Sequence, residues 1–242
     1  MVATNSVRGA RERGVRQRDA LARDTTVTAE ERALGVVRRA VGPAVGQRTS
    51  PAELRRQVAN LASGTYVNDI LAEQDSTLYR WPERLSDAVR VYNEPASDVP
   101  GFDLRYPELA RDVFEEWSLA GFPLRFAFVH DSAGADMSIR WRDRFPADEG
   151  QRIGVTERLQ TSDFLIARAR ISIALHDSTG RVLPPAVVGG IVRHEVGHAL
   201  GLNHAEDPTS VMYRSAATYT MSVTDRATLR LLYLVAPGTL KN

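Results

Sequence analysis

The sequence predicts an α+β fold, and three observations predict it. Short period-two apolar runs recur between residues 88 and 175 with one helical pattern among them, and two more helical patterns follow. The 242 residues are 43% hydrophobic and 25% charged, an ordinary globular composition. The longest apolar runs are a few residues, far below the roughly 20 that span a bilayer, so no transmembrane segment is expected. Cysteine is absent, which excludes disulfides, thiolate metal sites and a cysteine nucleophile. The net charge of +1 and the 7% aromatic content offer no global field or stacking surface for a specific nucleic acid.

The first 50 residues hold ten arginines, five acids and no aromatic. They read as a basic arm, a solvated leader in the plain reading and an anionic-surface or nucleic-acid contact through residues 8–23 in the sharper one. Leu34, Val37 and Val41 predict a short helix over Thr28–Val45. Ser50-Pro51-Ala52-Glu53 is a helix start, with Ser at the cap, Pro in the first turn and Glu at the third position. Leu54, Val58 and Leu61 follow at helical spacing up to Gly64, and Tyr66–Leu78 continues as helix through Ile70, Leu71 and Leu78. The arm and these helices form one expected unit, residues 1–79, read as a propeptide, a linker, a membrane-tether remnant or an accessory helical cap. Residues 80–242 form the expected main domain.

Within the main domain, Ala88–Tyr92 alternates as a strand and Pro95–Gly101 is a loop. Pro107–Ala120 sets Leu109, Val113, Phe114 and Trp117 on one helical face and stops at Gly121. Strands are predicted at Leu124–Val129, Asp136–Trp141, Ile153–Leu159 and Ile166–Leu175, with a polar loop at Arg142–Gln151 and a turn at Ser178-Thr179-Gly180. Helices are predicted at Pro184–Leu200 and Val223–Leu234.

The chemistry is concentrated in His194-Glu195-Val196-Gly197-His198-Ala199-Leu200-Gly201-Leu202-Asn203-His204. His194 and His198 are four apart, so they share one helical face about one turn apart. Two such imidazoles reach a single tetrahedral ion. Glu195 projects beside that ion, where a carboxylate takes a proton from water. Gly201 can break the helix with a positive φ, and His204 then arrives as a third ligand. Three nitrogen ligands leave a fourth position open, the mark of a catalytic zinc site. Three of the chain's five histidines lie in these eleven residues, which argues against scattered surface or core histidines.

The segment HEVGHALGLNH, followed by Ser210-Val211-Met212-Tyr213, resembles the metzincin clan of zinc endopeptidases, and its matrixin branch most closely. Phe114–Trp117, Leu124–Phe128, Gly134–Trp141 and the Ser222–Tyr233 stretch resemble further parts of a matrixin catalytic domain. The resemblance implies a twisted, mostly parallel sheet with one antiparallel edge strand, an active-site helix and a C-terminal helix. It implies one catalytic Zn2+ on His194, His198 and His204, with Glu195 as general base, Gly201 as the helix breaker and Met212 in a Met-turn under the ion. A peptide substrate would lie as an added strand along the edge, assigned to Ile153–Leu159, with Ile153, Gly154 and Val155 in contact. The segment from Tyr213 to Met221 would wall the pocket beyond the scissile bond, with Tyr213 and Tyr219 as candidates.

Some family features are not expected here. Only His130 and His176 remain for a second, structural zinc, so none is predicted. Without cysteine, latency through a propeptide thiolate cannot operate. The tyrosine ligand of astacins would fall at Arg214, so a fifth ligand is not expected. Calcium is common in the family, yet no EF-hand-like loop is present, and Asp131, Asp136 and Asp143 read equally well as solvated turn acids. The reading is a monomeric zinc endopeptidase acting on protein or peptide substrates, secreted or extracytoplasmic by resemblance although no signal peptide is visible. The competing readings are a catalytically silent zinc protein that binds peptides, and an exopeptidase on the same helix.

Overall fold

A computed structural model describes residues 36–41, 49–146, 148, 151–215 and 218–242, the first stretch by its backbone alone. The arginine-rich stretch 8–23 lies outside the described residues.

Helix α1, Pro51–Leu61, starts at Ser50, whose hydroxyl accepts the Glu53 N–H at 3.2 Å. It buries Leu54 and Val58. Helix α2, Val67–Glu73, is shorter than the helix expected over Tyr66–Leu78. It stops because Asp75 and Ser76 take φ of 53° and 59°, a left-handed pair that ends helical hydrogen bonding. The chain turns there into strand β2, Thr77–Leu78, which pairs with the C-terminal strand β8, Gly238–Thr239.

The main sheet takes β3 (Arg84–Asn93), β4 (Leu124–Val129), β5 (Met137–Arg142), β6 (Gly154–Thr161) and β7 (Ile166–Ala174) from the expected strands. Helix α3, Tyr106–Ser118, crosses between β3 and β4. Helices α4, Pro185–Leu200, and α5, Val223–Leu234, follow β7. With β1 (Val36–Val41) included, strand order is β1-β6-β7-β5-β3-β4, and every pairing in this sheet is parallel except that of β6 with β7. The inner face carries Val89, Val91, Met137, Ile139, Ile171 and Ile173, all buried, and α4 packs across β6 and β7 and against α3.

Strand β1 corrects the helix expected over Thr28–Val45. Val36–Val41 is a strand, parallel to β6 in a register from Val36↔Thr156 to Val41↔Thr161. Three β-branched valines suit a strand, and β6 supplies a partner more than a hundred residues away that local periodicity cannot reveal. The rest of that expected helix lies outside the described residues.

Described residues on both sides of position 79 pack into one core. Leu54, Val58, Tyr66, Val67, Ile70 and Leu78 share one core cluster with Trp117, Met137 and Val196. Helices α1 and α2 are part of the body. No helix among the described residues is long and apolar enough to cross a membrane.

Candidate metal centre

Helix α4 is opened by Pro184 and Pro185 and buries Val188, Val192, Val196 and Ala199. It ends at Gly201, with φ of 113°. A Cβ there would sit 2.6 Å from the Tyr79 carbonyl oxygen and 2.9 Å from Leu232, so both conformation and space require glycine. Beyond Gly201 the chain reverses and brings His204 back beside His194 and His198.

The ligand atoms of His194, His198 and His204 lie within 4.8 Å of one another, and this is the one group among the described residues able to hold a metal ion. His194 Nδ1 is 2.7 Å from the Val211 carbonyl, and His198 Nδ1 is 3.0 Å from the Leu202 carbonyl. A carbonyl only accepts, so each Nδ1 carries the proton and each Nε2 presents a lone pair. These two Nε2 atoms are 3.0 Å apart. Two lone pairs at that distance repel unless a cation lies with them. Burial, then the neighbouring His204, holds His194 down at about 4, and burial with the two adjacent imidazoles holds His198 well below its ordinary value. The donor set is three converging imidazole nitrogens, a set that fits zinc.

Glu195 is 5% exposed. Its Oε2 accepts the Thr156 hydroxyl at 2.7 Å. Burial pushes its carboxyl up to about 8, against the opposing pull of Thr156 and Arg152. Gly154 makes room for it: a Cβ at 154 would overlap Glu195 Oε1 and lie 2.7 Å from Ile191 Cγ2.

Met212 is fully buried beneath α4, where Gly197 leaves space for its sulfur. The loop that carries it is clasped by Asp225, fully buried at the start of α5. Asp225 accepts the Val211 N–H at 3.1 Å, the Ser222 N–H at 2.7 Å and the Ser210 hydroxyl. Ser210 Oγ in turn accepts the Met212 N–H at 2.9 Å. Since Val211 also supplies the carbonyl that orients His194, one buried carboxylate links α5 to the first imidazole.

The expected substrate residues divide. Ile153 packs against the core, and Gly154 lies on Glu195. Val155 points to the opposite face of the sheet, in a small cluster with Phe145 and Ala174. Tyr213 follows Met212 and donates its N–H to Ser210 at 3.1 Å. Tyr219 is 38% exposed and lays its ring over Gly190 on α4. Residues 216 and 217 of the expected pocket wall lie outside the described residues. Asp131 accepts Ala133 N–H at 2.9 Å, Asp136 accepts Arg90 N–H at 2.9 Å, and Asp143 sits beside His176 and Arg144. These three acids serve separate places, and His130 is exposed.

Sequence reasoning missed several supports. Glu73 on α2 receives the His204 backbone N–H at 3.0 Å and its ring Nδ1 at 2.8 Å. Burial works to raise the Glu73 carboxyl, but the His204 hydrogen bonds and Arg214 hold it down at about 2. Arg158 on β6, 1% exposed, donates to the His198 carbonyl at 3.2 Å and to Asn203 Oδ1 at 2.8 Å. A cation suits the carbonyls at a helix C-terminus. The one sequence signal was on β6, where Thr156, Arg158 and Gln160 alternate with Val155 and Leu159. Apolarity points the wrong set inward.

A family model described as matrixin matches residues 90–234, more than half of the chain. A candidate matrix metalloproteinase of Heliothis virescens ascovirus 3e is 26% identical over 114 residues, which cover 42% of this chain and 24% of that protein. The chain thus spans about a quarter of that relative's length. Among solved structures, the GM1 bound form of the ECX AB5 holotoxin matches with 14% identity and a TM-score of 0.46, over 69% of this chain and 88% of that one. The matched family segment runs from within β3 through α5 and encloses all three imidazoles; the chain belongs to the matrixin family.

Proposed function

We propose that the protein is a zinc-dependent endopeptidase that hydrolyses peptide bonds in proteins, with His194, His198 and His204 holding the ion and Glu195 as general base. The observation that carries the reading is the convergence of three imidazoles beside the buried carboxylate of Glu195. A zinc ion held there supplies Lewis acidity toward water and the scissile carbonyl. Glu195 takes a proton from the attacking water and returns it to the leaving amine. Thr156 fixes the carboxylate's direction through its 2.7 Å hydrogen bond. Gly201 turns the chain so that His204 can close the ligand set, and Met212 forms an apolar floor.

The substrate is an extended peptide lying along β6 at Gly154 and Val155, ahead of the residues paired with β1. Tyr213 and Tyr219 border the pocket beyond the scissile bond. The protein acts as a monomer outside the cytoplasm, in keeping with its family, and calcium has no part in this proposal.

The test uses purified full chain, with zinc measured by emission spectrometry and cleavage mapped on a proteome-derived peptide mixture. One zinc per chain and internal cleavage abolished by a chelator are expected. Glu195→Ala retains zinc and loses cleavage. Zinc uptake without chelator-sensitive cleavage, or full activity in Glu195→Ala, contradicts the proposal.

A further inference from the structure

Each of the three imidazoles has its Nδ1 anchored, but the anchors differ in kind. His194 and His198 use the backbone carbonyls of Val211 and Leu202. His204 uses a side chain, the carboxylate of Glu73, which comes from α2 and lies outside the family segment at residues 90–234. The contact is two-pronged. Glu73 Oε1 meets the ring at 2.8 Å and Oε2 meets the backbone N–H of the same residue at 3.0 Å. Arg214 then reaches Oε1 at 3.1 Å from beyond Met212.

The grip extends along the loop after Gly201. Gln74 donates to Asn203 at 2.6 Å, Glu73 takes His204, and Asp69 accepts the Glu206 N–H at 3.0 Å. Three side chains of α2 and its cap thus fasten residues 203, 204 and 206. Helix α2 is itself fixed by buried Val67 and Ile70 and by the Tyr66 N–H on Thr228 at 3.1 Å. His204 has no helix of its own to set its ring; α2 is its template.

We propose that Glu73 is a positioning residue of the metal centre. It holds the His204 ring in the Nδ1–H tautomer and turns Nε2 toward His194 and His198. Helix α2 is thereby a working part of the centre, which no removable leader could include. The inference rests on the zinc reading above. A carboxylate behind a ligating histidine fixes its tautomer and raises its basicity, and losing such a partner commonly costs 10- to 100-fold in metal affinity.

The experiment compares full-length wild type, Glu73→Ala, Glu73→Gln and Asp69→Ala. Zinc affinity is read by competition with a chromophoric chelator, and site geometry by the visible spectrum of the cobalt-substituted chain. Glu73→Ala is expected to bind zinc about 10- to 100-fold more weakly and to shift the cobalt bands. Glu73→Gln, which keeps an acceptor for Nδ1 without the charge, falls between it and wild type. Asp69→Ala removes only the Glu206 N–H contact, two residues beyond the ligand, so it costs less zinc affinity than Glu73→Ala. The inference is overturned if wild type binds zinc and both Glu73 variants match it in affinity and spectrum, or if Asp69→Ala loses as much affinity as Glu73→Ala. A wild-type chain that takes up no zinc overturns the metal-centre reading and this inference together.

Discussion

Gly154 on β6 and Glu195 on α4 are packed so closely that the glycine has no room for a side chain: its Cβ would overlap the carboxylate. The strand backbone is therefore one wall of the pocket that buries Glu195. Gly154→Ala must push the carboxylate aside or move β6 off the helix, a strain of about 1–3 kcal/mol. Zinc content is expected to stay at the wild-type level while peptide cleavage falls at least about tenfold, since each 1.36 kcal/mol is a factor of ten. Steady-state cleavage with parallel metal analysis checks it; unchanged cleavage contradicts the assigned closeness.

Asp225 ties the loop of Met212 to α5. Asp225→Ala strands the Ser210 hydroxyl and the Val211 and Ser222 N–H groups in the interior. At about 1–3 kcal/mol for a buried group left without its partner, a loss of roughly 3 kcal/mol is expected. Because Val211 orients His194, zinc affinity should fall as well. Denaturant unfolding and chelator competition on one preparation test both effects, and an unchanged midpoint refutes the clasp.

Gly201 combines a left-handed φ with contact to the Tyr79 carbonyl. Gly201→Ala is expected to lose about 2 kcal/mol. That corresponds to a fall of roughly 4–8 °C in Tm for a domain of this size. Differential scanning calorimetry measures it, and a Tm within a degree of wild type would mean that the helix can end here without glycine.

Strand β1 occupies the side of β6 along which a peptide would extend. Any substrate strand reaching past Val155 competes with it. Proline at both Arg38 and Arg39 removes two adjacent backbone N–H groups, at least one of which belongs to the ladder. The double variant is expected to lower KM for long peptides several-fold with kcat and zinc content unchanged. Identical KM values would show that β1 does not stand in the substrate's path.

The sequence revealed the site unevenly. The histidine-bearing helix was legible because its evidence is local: imidazoles at i and i+4, an adjacent carboxylate and a glycine where the helix must break. The five strands from Arg84 to Ala174 were legible through their alternation, and only their ends shifted. What was missed depends on distant contacts. Glu73 meets His204 across 131 positions, and no pattern around Glu73 marks it. Arg158 and Thr156 face inward on β6 because the end of α4 and the Glu195 carboxylate need hydrogen-bond partners, which reverses the choice apolarity makes. Val36–Val41 fits a helix by spacing, and becomes a strand because β6 offers an unpaired edge.

The account's central claim is that three imidazoles converge on one ion. Zinc-edge X-ray absorption of the full chain loaded with one equivalent tests it most directly. Three imidazole nitrogens at about 2.0–2.1 Å and one further light ligand are predicted, with one imidazole lost in His204→Ala. A spectrum fitted by two or fewer imidazoles, or one unaltered in His204→Ala, would contradict it.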